Sequence, residues 1–397
     1  MANKLIISLS ACALAAGVFG WQQAKVKLPP PFASPSVNNG PRVIDRPGGA
    51  RLKLPQGFEI EEWAAQFERP RYMLMGPGKE ILVSDSVKGG SVFVLVDNNQ
   101  DNKPDQRKTL ISGLDRPYGL AFWKDYLYIA ETTSVKRYKY DAKAMKVGSG
   151  EEVVPMHDFG SGHWTRSLLF DPKGEKLYVG IGSRSNVDAG EDPKRAAVNR
   201  YNPDGTGHEI YASGTRNPIG MRWYPGTSTL WAAVQERDLL GDDLVPDYLT
   251  HLQQRGFYGW PYAYIGPHED PRRKGEKPDL VKRTIVPDVL LGSHVAVLDF
   301  IFYTGQQFPQ QYRGGALLAF HGSWNRAKRI GYSVAFVPFK DGKPAGEPQD
   351  FLTGWMLNPD SREVWGRPVG LLQLNDGSIL VSDDGGNKIW RVYYKGS

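Results

Sequence analysis

The chain has 397 residues, 40% hydrophobic and 23% charged, with 45 Gly and 29 Pro; this supports a large core and excludes a helical bundle. Its net charge of +6 is modest and scattered, with no run of five Lys or Arg and no basic stripe interleaved with aromatics, so a nucleic-acid-binding surface is not expected.

Met1 to Lys4 is a short positive start, and the run from Leu5 to about Gly20 is apolar and small. That run is too short to span a bilayer comfortably and reads as a secretory signal over residues 1–24. The mature protein is expected in the periplasm or outside the cell. The sole cysteine, Cys12, lies inside this segment in Leu9-Ser-Ala-Cys12, a string that resembles a lipoprotein cleavage box. Cys12 is then either removed or becomes a lipid anchor, which leaves the folded chain without thiol chemistry or disulfides. No other stretch approaches membrane-spanning length. Residues 25–50, rich in Pro, Ser and Asn, read as an extended arm.

Residues 51–397 repeat one pattern: a short strand, a tight turn, and a second strand that often closes on an acid. It runs Arg71-Tyr-Met-Leu-Met-Gly-Pro-Gly-Lys-Glu-Ile-Leu-Val-Ser-Asp85, then from Pro117 to Glu131, Arg166 to Gly180, and Arg216 to Ala233. A looser copy spans Leu298 to Phe320, and a last one Arg367 to Asp383. The first four begin about 46 to 50 residues apart, a propeller-blade period. The predicted fold is all-β, a six-bladed β-propeller with elaborated loops on one face, each blade burying both sides against its neighbours. Residues 236–296, rich in Pro, Gly and charge, form the longest of these loops.

Three clusters stand out from the blades. In Gly160-Ser-Gly-His-Trp-Thr-Arg166 the glycines permit a sharp turn that exposes His163, an imidazole able to accept a hydroxyl proton near neutral pH. A turn histidine of this kind is otherwise a surface or structural residue. In Gly214-Thr-Arg-Asn-Pro-Ile-Gly220, Arg216 and Asn217 set a cationic fork beside an amide. They suit either polarisation of a carbonyl oxygen or packing against a neighbouring blade's acid. Gln235-Glu-Arg-Asp-Leu-Leu-Gly-Asp-Asp243 is an irregular, oxygen-rich loop. It suits a hard cation such as Ca2+, or is a solvated acidic turn, and its spacing is not that of an EF-hand.

In order along the chain, Gly162-His-Trp-Thr-Arg-Ser-Leu-Leu-Phe170, Gly180-Ile-Gly-Ser183, Arg216-Asn-Pro-Ile-Gly220, Glu236-Arg-Asp-Leu-Leu-Gly-Asp-Asp243, Tyr258-Gly-Trp-Pro261, His321-Gly-Ser-Trp-Asn-Arg326 and Trp365-Gly-Arg-Pro-Val369 resemble the soluble quinoprotein glucose/aldose dehydrogenase family, and more closely its sorbosone-dehydrogenase-like branch. The resemblance covers about Leu54 to Tyr394. It implies pyrroloquinoline quinone (PQQ) and Ca2+ as cofactors, and a sugar or sugar-derived aldehyde as substrate. It also implies an electron acceptor, a quinone or a cytochrome. His163 matches the family's general base, and Arg216 and Asn217 match the pair that contacts the quinone and polarises its carbonyl. Main-chain carbonyls at Asp238 and Leu239, where the family has Gly-Pro, match those that hold the calcium, and the Asp238 carboxylate is available to join them. Arg367 matches a partner of the cofactor's carboxylates, with Arg326 and Lys328 as further candidates. One departure concerns substrate: glucose-specific members carry an Asp before the catalytic His, and this chain has Gly162.

A planar tricarboxylate with an electrophilic carbonyl needs cations, a polarising group and a base, and these residue types supply them. Two other readings remain. A gluconolactonase-type propeller would use a channel metal to activate water, and a non-catalytic propeller would use its loops for sugar or partner recognition.

Overall fold

The inner segments of the repeat are apolar on both faces, which suits strands covered on two sides rather than one. Leu177–Ile181 and Ala316–Phe320, for example, are buried at every position. In the computed structural model, which describes residues 27–396, these segments form six sheets arranged as the blades of a propeller, each built on four antiparallel strands and one carrying a fifth. Tight turns join their strands. The turn between Phe170 and Leu177 needs its glycine, because Gly174 has φ +70°, a conformation that side chains with a Cβ resist.

From the channel outward, blade 1 is Pro70–Met75, Ile81–Asp85, Lys88–Val96 and Gln106–Asp115, and blade 2 is Leu120–Trp123, Tyr126–Glu131, Ser134–Asp141 and Lys146–Pro155. Blade 3 is Arg166–Phe170, Leu177–Ile181, Ala197–Tyr201 and Glu209–Ser213, widened by Gly256–Phe257, which joins in parallel. Blade 4 is Asn217–Trp223, Leu230–Gln235, Pro246–His251 and Val289–Ser293, and blade 5 is Val297–Phe302, Ala316–Phe320, Ser333–Val337 and Gln349–Leu352. Blade 6 takes Pro368–Gln373, Ile379–Asp383 and Lys388–Tyr394 from the C-terminus and its outer strand, Phe58–Ala64, from the N-terminal side.

That exchange closes the ring. Phe58 pairs with Tyr394 in register. Its ring sits edge-on to Phe308, Tyr312 and Phe351 at centroid distances of 4.7, 5.3 and 5.1 Å, so one aromatic cluster ties blade 6 to blade 5. Core clusters elsewhere also span neighbouring blades: Leu82, Val92 and Val94 of blade 1 pack with Leu120, Leu127 and Ile129 of blade 2.

The acids that end the second strands anchor the inner strands. Asp85 accepts from the Glu68 and Arg69 amides, Glu131 from the Asp115 amide, and Asp383 from those of Arg367, Gly385 and Gly386. These charge-assisted bonds fix the segments leading into the inner strands of blades 1, 2 and 6.

The arm is docked along the propeller. Arg42–Val43 pairs in parallel with Glu363–Val364, and residues before it lie against loops of blades 4 and 5. Among the described residues no helix is long and apolar enough to cross a membrane. The expected signal over residues 1–24 and the possible lipid site at Cys12 lie outside the described residues.

Candidate functional site

Arginines cluster where the inner strands begin. Arg69, Arg116, Arg166, Arg216 and Arg367 each stand at or just before the first residue of an inner strand or its approach, and blade 5 has His294 in the comparable place. The repeat therefore places an arginine at the start of five of the six inner strands.

His163 sits on this rim in a turn held from below. Arg166 donates to the carbonyls of Phe159, His163 and Thr165, and Arg195 to those of Phe159, Ser161 and Gly182. The imidazole Nδ1 lies 2.8 Å from the Ser183 carbonyl and 3.1 Å from its Oγ. A carbonyl only accepts, so Nδ1 carries the proton and Nε2 is left as the acceptor. Burial, then the Arg216 guanidinium, pushes the imidazole pKa down to about 3, so the ring is neutral at physiological pH.

Gly182 makes the next contact possible. A Cβ there would collide with Asn217 Oδ1 and lie 2.6 Å from His163 Cβ, so only glycine lets the base and the amide close on each other. Asn217 donates to Gln235 Oε1 at 3.0 Å, while its buried Oδ1 has no hydrogen-bond partner. A buried orphan acceptor beside a neutral histidine is a place prepared for a donor.

Arg216 is fully engaged. It donates to the Glu236 carbonyl at 2.6 Å, to Asn186 Oδ1 at 3.1 Å and to Asp238 Oδ2 at 3.0 Å. Asp238 Oδ1 in turn faces His294 Nδ1 at 3.3 Å. Burial works to raise the Asp238 pKa, but Arg216 and His294 overcome it and hold the carboxyl below its ordinary range. Both Asp238 oxygens are thus occupied by basic side chains, Arg216 and His294. Glu236, behind them, is pushed up to about 8 by burial and is protonated at neutral pH. Leu239 has φ +71° and donates its amide to Asn325 Oδ1 at 2.8 Å.

Across the mouth, Arg367 donates to the His321 carbonyl at 3.1 Å with its guanidinium 5.8 Å from the Tyr332 ring centre. His321 Nε2 is 2.7 Å from Asp384 Oδ1, and Arg71 donates to Asp384 Oδ2 at 2.6 Å. Burial, then Arg367, lowers the His321 pKa to about 4, so a neutral imidazole donates from Nε2–H to the carboxylate. Trp164, next to His163, bridges the two halves, with Arg71 at 4.9 Å and Arg116 at 5.5 Å from its ring.

The structure brings His163, Arg216, Asn217 and Asp238 together. It places Leu239 beside them and Arg367 across the mouth. Arg326 instead grips the far end of the same loop, reaching the Asp242 carbonyl and, at 2.8 Å, the Asp243 carboxylate. Lys328 is exposed and lies 3.8 Å from Asp360. Ser183, Asn186, Trp164, Arg71 and Asp384 were not singled out from the sequence. The Arg-Pro dipeptides at 69–70, 116–117 and 367–368 were a usable signal for the ring of cations. Gly162 has a physical cause for differing from Asp: its φ is +78° and a Cβ would lie 2.7 Å from the Arg184 carbonyl carbon.

Among the described residues no three His, Cys, Asp or Glu side chains converge to hold a metal. A calcium ion at this site would take its protein oxygens from the main chain.

The TrAA12-like family profile matches residues 52–245 and 276–395. An uncharacterized protein of Borreliella burgdorferi is 29% identical over 363 residues, covering 87% of this chain and 91% of its own. A calcium structure of a Trichoderma reesei carbohydrate-active enzyme of family AA12 superposes with TM-score 0.75 at 21% identity, covering 90% of this chain and 99% of that one. The holo form of the pyranose dehydrogenase PQQ domain from Coprinopsis cinerea superposes with TM-score 0.72 at 18% identity, covering 88% and 100%. At these identities the structural likeness speaks to the fold.

Proposed function

The chain belongs to the TrAA12-like family, and from that premise we propose that it is a PQQ- and Ca2+-dependent dehydrogenase of an aldose or a sugar-derived aldehyde of the sorbosone kind. The resemblance to soluble PQQ-dependent sugar dehydrogenases is borne out by its relatives; assignment to the sorbosone-like branch is part of the proposal. The observation that carries the reading is the buried, unpartnered Asn217 Oδ1, which packs with His163 around Gly182 on a rim where arginines begin the inner strands.

The residues present fit the cofactor. Arg69, Arg116 and Arg367 offer cations to a planar tricarboxylate, Trp164 offers an aromatic face, and Asn217 Oδ1 awaits a donor. Calcium would be held by main-chain carbonyls of Asp238 and Leu239. The Asp238 carboxylate, engaged by Arg216 and His294, serves to position the arginine instead.

When bound, the quinone supplies the two-electron oxidant and calcium sharpens its electrophilicity. The chain's own work is proton handling and placement. Ser183 fixes the His163 tautomer, and Nε2 takes the proton from the sugar's anomeric hydroxyl as the adjacent C–H gives up hydride. The sugar then leaves two electrons and two hydrogens poorer, an aldose as its lactone. Arg216, immobilised on Asn186, Glu236 and Asp238, presents a fixed positive charge where negative charge develops, with no reorganisation required.

The propeller-lactonase alternative needs carboxylates converging on a channel metal. The lack of such a group among the described residues supports the quinoprotein reading. The apolar run from Leu5 supports export to the periplasm or beyond, with a quinone or cytochrome as electron acceptor. The test is direct: protein reconstituted with PQQ and Ca2+ should reduce an artificial dye in the presence of aldoses or sorbosone-like aldehydes. Absence of quinone binding at micromolar concentration refutes the proposal. Lactone hydrolysis without quinone would favour the alternative.

A further inference from the structure

The loop Leu239–Asp243 follows the residues that fix Arg216, and its backbone is an unusual one, with φ +71° at Leu239 and +107° at Gly241. Left-handed conformations at non-glycine positions persist only when the surroundings over-determine them. Here the surroundings are supplied largely by the N-terminal arm. The Gly241 amide donates to Ser36 Oγ at 3.2 Å and the Asp242 amide to Ser34 Oγ at 2.7 Å. The Phe32 amide donates to the Leu240 carbonyl at 2.8 Å.

A third segment locks both. Asn325, fully buried, accepts from the Leu239 amide at 2.8 Å and donates to the Val37 carbonyl at 2.6 Å. Asn39 is bonded to the Trp324, Arg326 and Ala327 carbonyls, and Arg329, itself buried, donates to Asn39. Arg326 closes the triangle on the Asp242 carbonyl. The fit is tight: a Cβ on Gly241 would lie 2.8 Å from the Ser34 carbonyl oxygen and 3.0 Å from its hydroxyl.

We propose that the N-terminal arm is a working part of the cofactor site: through Ser34, Ser36 and the Asn325 bridge it sets the conformation of the 239–243 loop that receives calcium and, through it, the quinone. This rests on the quinoprotein reading of the site. The arm lies outside the repeating blades, yet it satisfies the amides of Gly241 and Asp242 that the sheets leave free. Without it those amides turn to water, and ligand binding must order the loop at its own expense, which lowers affinity. Ser34, Ser36 and Asn325 are positioning residues; none is assigned contact with substrate or cofactor.

The test uses the full chain with Ser34→Ala and Ser36→Ala together, and separately Asn325→Asp. The latter keeps the acceptor for Leu239 and loses the donor to Val37. Two quantities are read: amide hydrogen exchange in the cofactor-free protein, and PQQ affinity in the presence of Ca2+ by tryptophan fluorescence. Exchange at Gly241 and Asp242 should rise at least tenfold in the double variant, while blade amides such as Leu177–Ile181 keep their protection. Quinone affinity should fall about tenfold or more in both variants, and raised Ca2+ should recover part of it. Unchanged exchange and unchanged affinity overturn the inference. So does raised exchange with wild-type affinity, because the arm would then shape a loop the cofactor does not need. If the wild-type chain itself binds no quinone, the functional reading fails, and this inference falls with it for that separate reason. Should the double variant lose blade protection, Asn325→Asp alone decides.

Discussion

Removing His163 separates chemistry from binding. His163→Ala deletes the imidazole and leaves its neighbours satisfied, since Ser183 Oγ also donates to the Ser185 carbonyl at 2.6 Å. Nothing buried is orphaned, so the stability cost should be modest, about 1 kcal/mol. The rate cost should not be. One positioned base is worth about 10²- to 10⁴-fold in turnover, which is about 2.7 to 5.5 kcal/mol of transition-state stabilisation. Quinone affinity should stay within a few-fold of wild type, because the groups assigned to the cofactor are Arg216, Asn217 and Arg367. The assay is kcat under saturating PQQ and Ca2+ beside a fluorescence titration of the quinone. A pH titration adds a second reading. In the cofactor-free protein burial and Arg216 hold the imidazole near 3, so titration of its ring signals by NMR should show no protonation of His163 above about pH 4. Full turnover in His163→Ala, or lost quinone affinity at unchanged rate, would mean that the base is another group, with His157, His208, His294 and His321 next to be tried.

Arg367→Ala should do the reverse, weakening quinone binding by about 1.5 to 3 kcal/mol, as loss of a charge-assisted bond does. Excess cofactor should restore its activity, and Lys328→Ala, at an exposed site, should cost much less. The histidine contribution to stability should fall on acidification. The folded-state pKa values of His163 and His321, about 3 and about 4, lie below the ordinary 6.5, so below pH 6.5 the unfolded chain takes up protons that the fold refuses, until the pH reaches those folded values, while Glu236, raised to about 8, works in the opposite direction. Denaturant unfolding at pH 7 and pH 5 should therefore show the histidine part as a difference, with His321→Gln losing less stability between the two than the wild type. Phe58→Ala should cost about 3 to 5 kcal/mol of stability by emptying the aromatic cluster that closes the ring. Mass spectrometry of the mature protein should find residues 1–24 removed, or Cys12 lipidated, and an intact Met1 on a cytoplasmic protein would refute export.

The inner two strands of all six blades were legible because burial on both faces leaves a local mark: short apolar runs and a tight turn, with an acid at the end in blades 1, 2 and 6. Ile81–Asp85 and Ile379–Asp383 carry the same five residues, Ile-Leu-Val-Ser-Asp, and both acids anchor main-chain amides. The outer strands were less legible. Gln106–Asp115 and Lys146–Pro155 are largely exposed, so they lack the apolar signature and bury only a few residues, such as Leu114, Val153 and Val154. Closure of blade 6 by Phe58–Ala64 is a long-range event that no local pattern reveals. In the site, His163, Arg216 and Asn217 were found because glycines and ordered motifs surround them. Asn186 and Ser183 were not, since a single amide or hydroxyl in a loop becomes meaningful only when the fold shows what it touches. The contacts of the arm were hidden for the same reason. Its Pro, Ser and Asn residues read as an extended segment, and only the fold shows that Ser34, Ser36 and Asn39 bond to loops more than 200 residues away.

The propeller explains why a site of this kind assembles at one end of the channel. Each blade begins at the axis, and in blades 1, 2 and 6 the acid that ends the second strand pins the residues before the inner strand. Any side chain placed just before an inner strand is therefore delivered to the same mouth. Repetition alone would give a symmetric ring of arginines, suited to binding an anion and little else. Chemistry requires that the symmetry be broken, and it is broken in two places. Between blades 2 and 3 the glycine-rich turn held by Arg166 and Arg195 raises His163 onto the rim. After the second strand of blade 4 the chain leaves the repeat, and Asp238 draws Arg216 and His294 into one fixed group. The first departure supplies a base and the second an immobile charge beside it, while the unmodified starts of blades 1, 2 and 6 keep cations available for a polyanionic ligand. Binding by the repeat and reaction by its exceptions is the division of labour that the His163 and Arg367 variants are designed to separate.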